Sequence, residues 1–110
     1  MKLPNREKAY IPPAKLIDYL LSGTHVVGRG KAKFFRMFGF DETNADLLEQ
    51  GLIEIAQNED VKTETITPHG TKYVIRGSLQ TPLSRVISLT TVWIIDKGQE
   101  HPRFVTAIPN

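Results

Sequence analysis

The chain contains no cysteine, which excludes disulfide bonds, thiolate metal sites and cysteine nucleophiles. It has no apolar run near the roughly 18 residues that a membrane helix needs, and its start lacks the apolar stretch of a secretory signal. No phosphate-binding P-loop, nucleophile elbow or complete dinucleotide-binding motif occurs, and the three histidines are too widely spaced for a metal site. We therefore expect a single domain over residues 1–110, cytoplasmic and without metal or cofactor.

The charged residues are distributed unevenly along the chain. Residues 1–38 contain eight Lys and Arg against two acids, whereas residues 39–64 contain eight acids and only Lys62. A basic block beside an acidic block can produce a dipolar surface that attracts a polyanion to one side of the molecule. The alternative is that the two blocks pair with each other and are otherwise solvated.

The first half of the sequence predicts an arm and three helices. Residues 1–13 hold three prolines and are expected to be extended, with Pro12 and Pro13 leading into the first helix. Apolar residues at helical spacing then predict helices over 14–21, 31–38 and from Thr43 or Asn44 to Gln57. Gly51 lies inside the third helix, where it costs about 1 kcal/mol relative to alanine.

The hydrophobic period changes from helical to alternating near Val61. Segments 61–67, 71–76, 85–96 and 103–108 are rich in β-branched and aromatic residues and predict four strands. Short links favour antiparallel pairing in sequence order, so we predict an α+β fold with N-terminal helices packed on one face of a four-stranded antiparallel sheet. In the last strand, strict alternation sets Arg103, Val105 and Ala107 on one face and Phe104, Thr106 and Ile108 on the other.

The segment from His25 to Lys33 combines a loop with bases at the start of a helix. Gly28 and Gly30 allow a sharp turn, and the free N–H groups of the next helix, with Arg29 and Lys31, form a candidate phosphate site. An unperturbed histidine has a pKa of about 6.5, so the residue type of His25, beside them, suits proton transfer. The alternatives are that the glycines only shape a connection and that His25 only forms a hydrogen bond.

Trp93, Arg103 and Thr106 are the candidates on the last two predicted strands. Arg103 and Thr106 can reach a ligand from a strand, and a buried Trp93 would still need a partner for its indole N–H. The alternative is that all three are ordinary sheet residues. His69 and His101 lie in predicted turns, which makes them weaker candidates than His25.

Segments 15–21, 25–35, 70–74 and 91–107 together resemble a small bacterial domain of unknown function, and the similarity covers nearly the whole chain. That domain is known as a standalone protein and at the C-termini of larger toxin-like proteins. Its helices-then-sheet layout resembles the metal-independent ribonuclease toxins grouped as barnase, EndoU, colicin D and RelE-like. Ser84 departs from the family pattern, which usually turns on glycine at this position.

The resemblance implies a toxin-like, metal-independent endoribonuclease. Attack by a ribose 2′-hydroxyl needs a base, an acid and a cation for the phosphorane charge. We assign His25 as the base or acid, Lys31 with Arg29 or Arg103 as phosphate stabilisers, and Thr106 as a hydrogen-bonding positioner. Lys33, Arg36 and Trp93 complete the candidate RNA contacts, and Trp93 would either support the site or stack a base.

RNA and a small acidic antitoxin or immunity-like protein are the expected partners of such an enzyme, and no membrane partner is expected. The competing hypothesis is a non-catalytic module that binds RNA or a protein. The two hypotheses differ in geometry. Catalysis needs His25 close to Arg103 or Thr106 in space, whereas binding alone does not. We predict that His25, Lys31, Arg103 and Thr106 converge near Trp93, because proton transfer needs heavy atoms within about 3 Å of the reacting group, directly or through one water.

Overall fold

The computed structural model describes residues 1–21 and 29–110, with only the backbone of Asp18, Tyr19 and Arg29. The α+β prediction is confirmed: helices lead into one antiparallel sheet with strand order β1-β2-β3-β4, as short links predict. The elements are α1 (Pro13–Lys15), α2 (Arg29–Met37), α3 (Ala45–Asn58), β1 (Thr63–Thr67), β2 (Gly70–Gln80), β3 (Val86–Asp96) and β4 (Arg103–Pro109).

The first predicted helix is less regular than its pattern indicates. Helix α1 has three residues and continues directly into a π-helical turn, Leu16–Leu20, which the Leu21 N–H closes on the Leu16 carbonyl at 3.1 Å. Leu16, Leu20 and Leu21 are all buried in the core. The wider turn therefore still serves the purpose that the apolar stripe predicts, which is to bury leucines.

Helix α3 packs directly on β2 because two glycines allow a close approach. A Cβ atom on Gly51 would lie 2.1 Å from Cδ1 of Leu79, and one on Gly77 would lie 2.8 Å from the side chain of Ile55. Gly51 weakens the helix by its low propensity, but it leaves room for Leu79 against the helix backbone. This contact covers one face of the sheet.

Trp93 lies in the core between the helices and the sheet. Its side chain is 0% exposed and contacts Phe104 edge to face, with ring centroids 5.3 Å apart. The indole N–H donates to the Thr91 hydroxyl at 2.9 Å, and that hydroxyl donates to the Ile75 carbonyl at 2.7 Å. The buried indole therefore has the partner that its chemistry requires.

Strand β4 contains a β-bulge that strict alternation does not predict. Thr106 pairs with Val92 but Phe104 pairs with Trp93, so Val105 is the extra residue. As a result Phe104 and Ala107, three positions apart, both face the core and are both buried. The predicted face assignment in β4 is therefore wrong, because one inserted residue shifts the alternation by one.

The N-terminal residues cover part of the β4 edge. Tyr10 forms a parallel bridge with Arg103, in which the Tyr10 N–H donates to the Pro102 carbonyl and the Phe104 N–H donates to the Tyr10 carbonyl, each at 3.0 Å. Leu3 and Ile11 are buried in the core. The segment predicted as an extended arm is therefore packed against the sheet.

The β2–β3 turn forms without the glycine that the resembling family usually has there. Ser84 adopts a positive φ of 58°, and its N–H donates to the Thr81 carbonyl at 3.1 Å. The Thr81 hydroxyl closes the turn by donating to the Arg85 carbonyl at 2.7 Å.

Across the described ranges, no helix is long and apolar enough to cross a membrane.

Candidate functional site

The sheet face opposite α3 carries most of the polar side chains that could form a site. Tyr73, Ile75, Thr91 and Trp93 are buried on the covered face, and their neighbours along each strand point to the other side. We call that other side, on which α3 does not pack, the open face. It carries Lys72, Arg76, Ser78, Ser88, Thr90, Val92, Ile94, Asp96, Arg103 and Thr106.

Arg103 is held on the open face by a bidentate ion pair with Asp96. Its Nε donates to Oδ2 of Asp96 at 2.9 Å and its Nη2 donates to Oδ1 at 3.0 Å. Both side chains are about one-third exposed, at 32% and 33%. Two parallel hydrogen bonds fix the plane of the guanidinium, so its remaining N–H groups have a defined direction.

This ion pair shifts the pKa of both partners. The hydrogen bond from Arg103 lowers the pKa of Asp96, although burial acts in the opposite direction. The hydrogen bond to Asp96 raises the pKa of Arg103, although burial acts in the opposite direction. Both groups are therefore charged at neutral pH.

The lowered pKa of Asp96 predicts a pH dependence of stability. A carboxylate with a depressed folded pKa stabilises the fold above its unfolded pKa, near about 4, and this contribution is lost as pH falls through the folded value. We expect Asp96→Asn to unfold at a lower urea concentration than the wild type at pH 7. The difference should shrink steadily below about pH 4. A difference that stays constant from pH 7 to pH 2 would contradict the role of this charge.

The β4 bulge places Thr106 on the same face as Arg103. Their partners on β3, Val92 and Ile94, are two positions apart and point to the same side of the sheet. Without the bulge, residues three apart on a strand would face opposite sides. The bulge therefore brings together two of the predicted catalytic residues in a way that strict alternation excludes.

The predicted bases on α2 differ in their surroundings. Lys31 is half-buried and Lys33 is exposed. Arg36 donates to the Leu21 carbonyl at 2.7 Å and forms an ion pair with Glu42. The hydrogen bond between Arg36 and Glu42 raises the pKa of Arg36 and lowers the pKa of Glu42. At Arg36 the basic and acidic blocks thus pair with each other, which is the alternative that the sequence left open.

The structure places the predicted site residues in three different situations. His25 lies outside the described residues, and so does the side chain of Arg29. Arg103 and Thr106 share the open face. Trp93 points to the covered face with no exposed surface, so stacking on an RNA base does not fit its position and its role is to fill the core.

Two bases on β2 were missed by the sequence analysis. Lys72 and Arg76 are exposed on the open face and, within residues 1–21 and 29–110, neither forms an ion pair. The alternation of segment 71–76 carries the signal, because the buried Tyr73 and Ile75 require their charged neighbours to face the other way. These bases extend the positive charge of Arg103 across the sheet.

The described surface also has a cleft beside the end of β2. A cleft of 340 Å³ lies between α3 and the end of β2, with Gly51, Glu54, Leu79 and Gln80 in its lining. In the described part of the chain, no three His, Asp or Glu side chains are grouped so that they could hold a metal ion.

Comparisons with known proteins identify a family and a shared fold. The model of a domain of unknown function, DUF6883, matches residues 2–110. A chain of the contact-dependent growth inhibition toxin–immunity protein complex from Klebsiella pneumoniae 342 is similar in structure, with a TM-score of 0.74 and 16% sequence identity over 96% of each chain. No curated protein matches the sequence. At this identity the likeness shows a common fold, and function has to be argued from the site.

Proposed function

The chain belongs to the DUF6883 family, a domain of unknown function, and from its own residues we propose that it is a toxin-like endoribonuclease that needs no metal. The observation that carries the proposal is the placement of Arg103 and Thr106 on the same sheet face, which also carries the bases Lys72 and Arg76. The fold shared with a chain of a toxin–immunity protein complex supports the toxin-like role.

The proposed reaction is attack of a ribose 2′-hydroxyl on the adjacent phosphorus. His25 accepts the 2′-hydroxyl proton as the new P–O bond forms, and the bond to the 5′-oxygen breaks as that oxygen gains a proton from water or from the protonated imidazole. The products are a 2′,3′-cyclic phosphate and a free 5′-hydroxyl. Arg103 and Lys31 stabilise the charge on the phosphorane oxygens, and Thr106 positions the phosphate by a hydrogen bond.

The charge distribution supports binding of the substrate on the open face. Lys72 and Arg76 lie along that face, whereas the solvent side of α3 carries Asp46 and Glu54 on the far side of the sheet. A polyanion is therefore attracted to one side of the molecule and repelled from the other. Arg29, Lys33 and Arg36 are the further proposed RNA contacts. Each phosphate that is neutralised makes the affinity more dependent on salt.

The second candidate function is a non-catalytic module that binds RNA or a protein. The ion pair of Arg103 with Asp96 favours it, because a guanidinium engaged by a carboxylate has fewer N–H groups for a developing charge. For the enzyme, we propose cytoplasmic RNA as the substrate and a small acidic antitoxin or immunity-like protein as the inhibitor. An acidic surface would compete with RNA for the same bases.

The test is RNA cleavage by the purified protein in the presence of EDTA. We expect fragments that end in a 2′,3′-cyclic phosphate, and we expect His25→Ala and Lys31→Ala to lower the rate by about 100-fold or more. His69→Ala is the matched control, since His69 is an exposed turn residue and should leave the rate unchanged. If the wild type binds RNA in a salt-dependent way but cleaves none, the ribonuclease hypothesis is wrong and the non-catalytic binding module takes its place.

A further inference from the structure

The two edges of the sheet differ in how far the described residues cover them. The β4 edge is bridged by Tyr10 and ends at Pro109, which has no N–H to offer. Within the described residues, β1 pairs with β2 alone. An edge strand directs half of its backbone N–H and C=O groups away from its neighbour, so β1 presents a row of free hydrogen-bonding groups.

The residues of β1 favour an extended partner at this edge. The strand reads Thr-Glu-Thr-Ile-Thr, rich in β-branched residues, and its pairing with β2 has no bulge. Ile66 is 82% exposed, although it is the most apolar residue of the strand. Natural edges are commonly protected by charged side chains, proline or a bulge, and the charge of Glu64 is the only such feature within the length of β1.

We propose that β1 is the docking edge for an extended, basic segment of another protein, which adds as a fifth antiparallel strand. Backbone hydrogen bonds would supply the affinity, and side-chain pairs would set the specificity. Glu64 and Ile66 point to the same side of the sheet. The matching segment therefore carries Lys or Arg opposite Glu64 and an apolar β-branched residue opposite Ile66.

A second copy of this chain fits the edge less well than a foreign strand. Strand β1 contains no cation, so pairing centred on Thr65 would set Glu64 opposite Ile66 of the other copy, without a charge partner. Pairing that brings Lys62 opposite Glu64 would set Ile66 opposite Asp60, which lies before the strand begins. Neither register satisfies the charge and the apolar side chain together.

Strand addition at β1 is independent of the proposed ribonuclease activity. The added strand would lie beside β1, and β1, β2 and β3 would separate it from Arg103 on β4. It would therefore leave the catalytic part of the open face uncovered, unlike an acidic inhibitor that binds the bases directly. The docking edge can be tested on a protein that has no activity at all.

The probe is the acetylated and amidated pentapeptide Thr-Val-Thr-Lys-Thr, which in antiparallel register sets Val opposite Ile66 and Lys opposite Glu64. Titration into the ¹⁵N-labelled full chain should shift the amide signals of residues 63–67 with a dissociation constant of about 1 mM. At 10 mM peptide, amides of β1 that point away from β2 should exchange hydrogen about tenfold more slowly. No shift in β1 at this concentration would overturn the proposal.

Two control peptides and two variants separate strand addition from non-specific binding. Replacing Lys by Glu in the peptide should weaken binding about fivefold, and proline at its centre should abolish it. Ile66→Lys in the protein should weaken binding of the original peptide at least fivefold. Val86→Lys should leave binding unchanged, because Val86 is an exposed apolar residue, 62% exposed, that lies on β3 and not on β1. Equal shifts with the glutamate peptide would overturn the charge pairing. A wild-type dimer that Ile66→Lys dissociates would assign the edge to a second copy.

Discussion

Arg103→Ala is expected to lower the rate of RNA cleavage by about 100-fold or more while the protein remains folded. A carboxylate fixes the direction of this guanidinium, so its loss removes a preorganised donor for the phosphorane charge. Arg103→Ala breaks the same partly exposed ion pair as Asp96→Asn, so the urea midpoint should fall by a similar small amount and the protein should stay folded. The measurement is single-turnover cleavage under saturating enzyme.

Arg103→Lys and Arg85→Ala provide the controls for this prediction. Lysine keeps the charge but cannot form the bidentate pair with Asp96, so we expect only partial recovery of the rate. Arg85 is exposed beside the β2–β3 turn, and its replacement removes the same charge from a site that the proposal does not use. An equal loss of rate in Arg103→Ala and Arg85→Ala would mean that net charge alone, rather than the position of Arg103, controls the reaction.

Trp93→Ala is expected to lower the free energy of unfolding by about 3–5 kcal/mol. The substitution removes the edge-to-face contact with Phe104 and leaves a cavity beneath the sheet. A domain of this size is stable by roughly 5–15 kcal/mol, so a large share of its stability would be lost. Urea unfolding followed by far-UV circular dichroism measures the change, because the tryptophan signal itself is absent from the variant.

Val92→Ala and Trp93→Phe would test whether the role of Trp93 is limited to filling the core. Val92 is the neighbour of Trp93 on the open face and is half-buried, so its truncation should cost clearly less. Trp93→Phe keeps most of the buried surface, and its RNA affinity should equal that of the wild type within about twofold. A marked loss of RNA affinity in the folded Trp93→Phe protein would restore Trp93 as an RNA contact.

The order and pairing of the strands were predictable because they depend on local patterns. The change of period near Val61 and the short links between apolar segments led to the four strands and to their antiparallel order. Strand β2 extends to Gln80, beyond the predicted end at Arg76, because Gly77 reads as a break in the sequence but serves as the place where Ile55 of α3 approaches. From sequence alone, a glycine that ends a strand cannot be distinguished from one that lets a helix pack closely on the strand.

The arrangement of the site was less predictable because it depends on long-range contacts. The partner of Arg103, Asp96, lies across the β3–β4 hairpin, and the bridge to Tyr10 joins residues at opposite ends of the chain. The local pattern does not predict a bulge at Val105, because Phe104, Val105 and Thr106 are all residues that strands favour. Only pairing with β3 reveals which residues share a face.

The bulge in β4 also changes how related sequences should be aligned in this strand. The spacing of arginine and threonine by three positions holds only while an unpaired residue stands between them. A family member with one residue fewer in this strand would keep both groups on the same side only if its hydroxyl stood two positions after the arginine. Comparisons of this region should therefore place a gap at the position of Val105, and should match side chains by the face they occupy instead of by their count from the arginine.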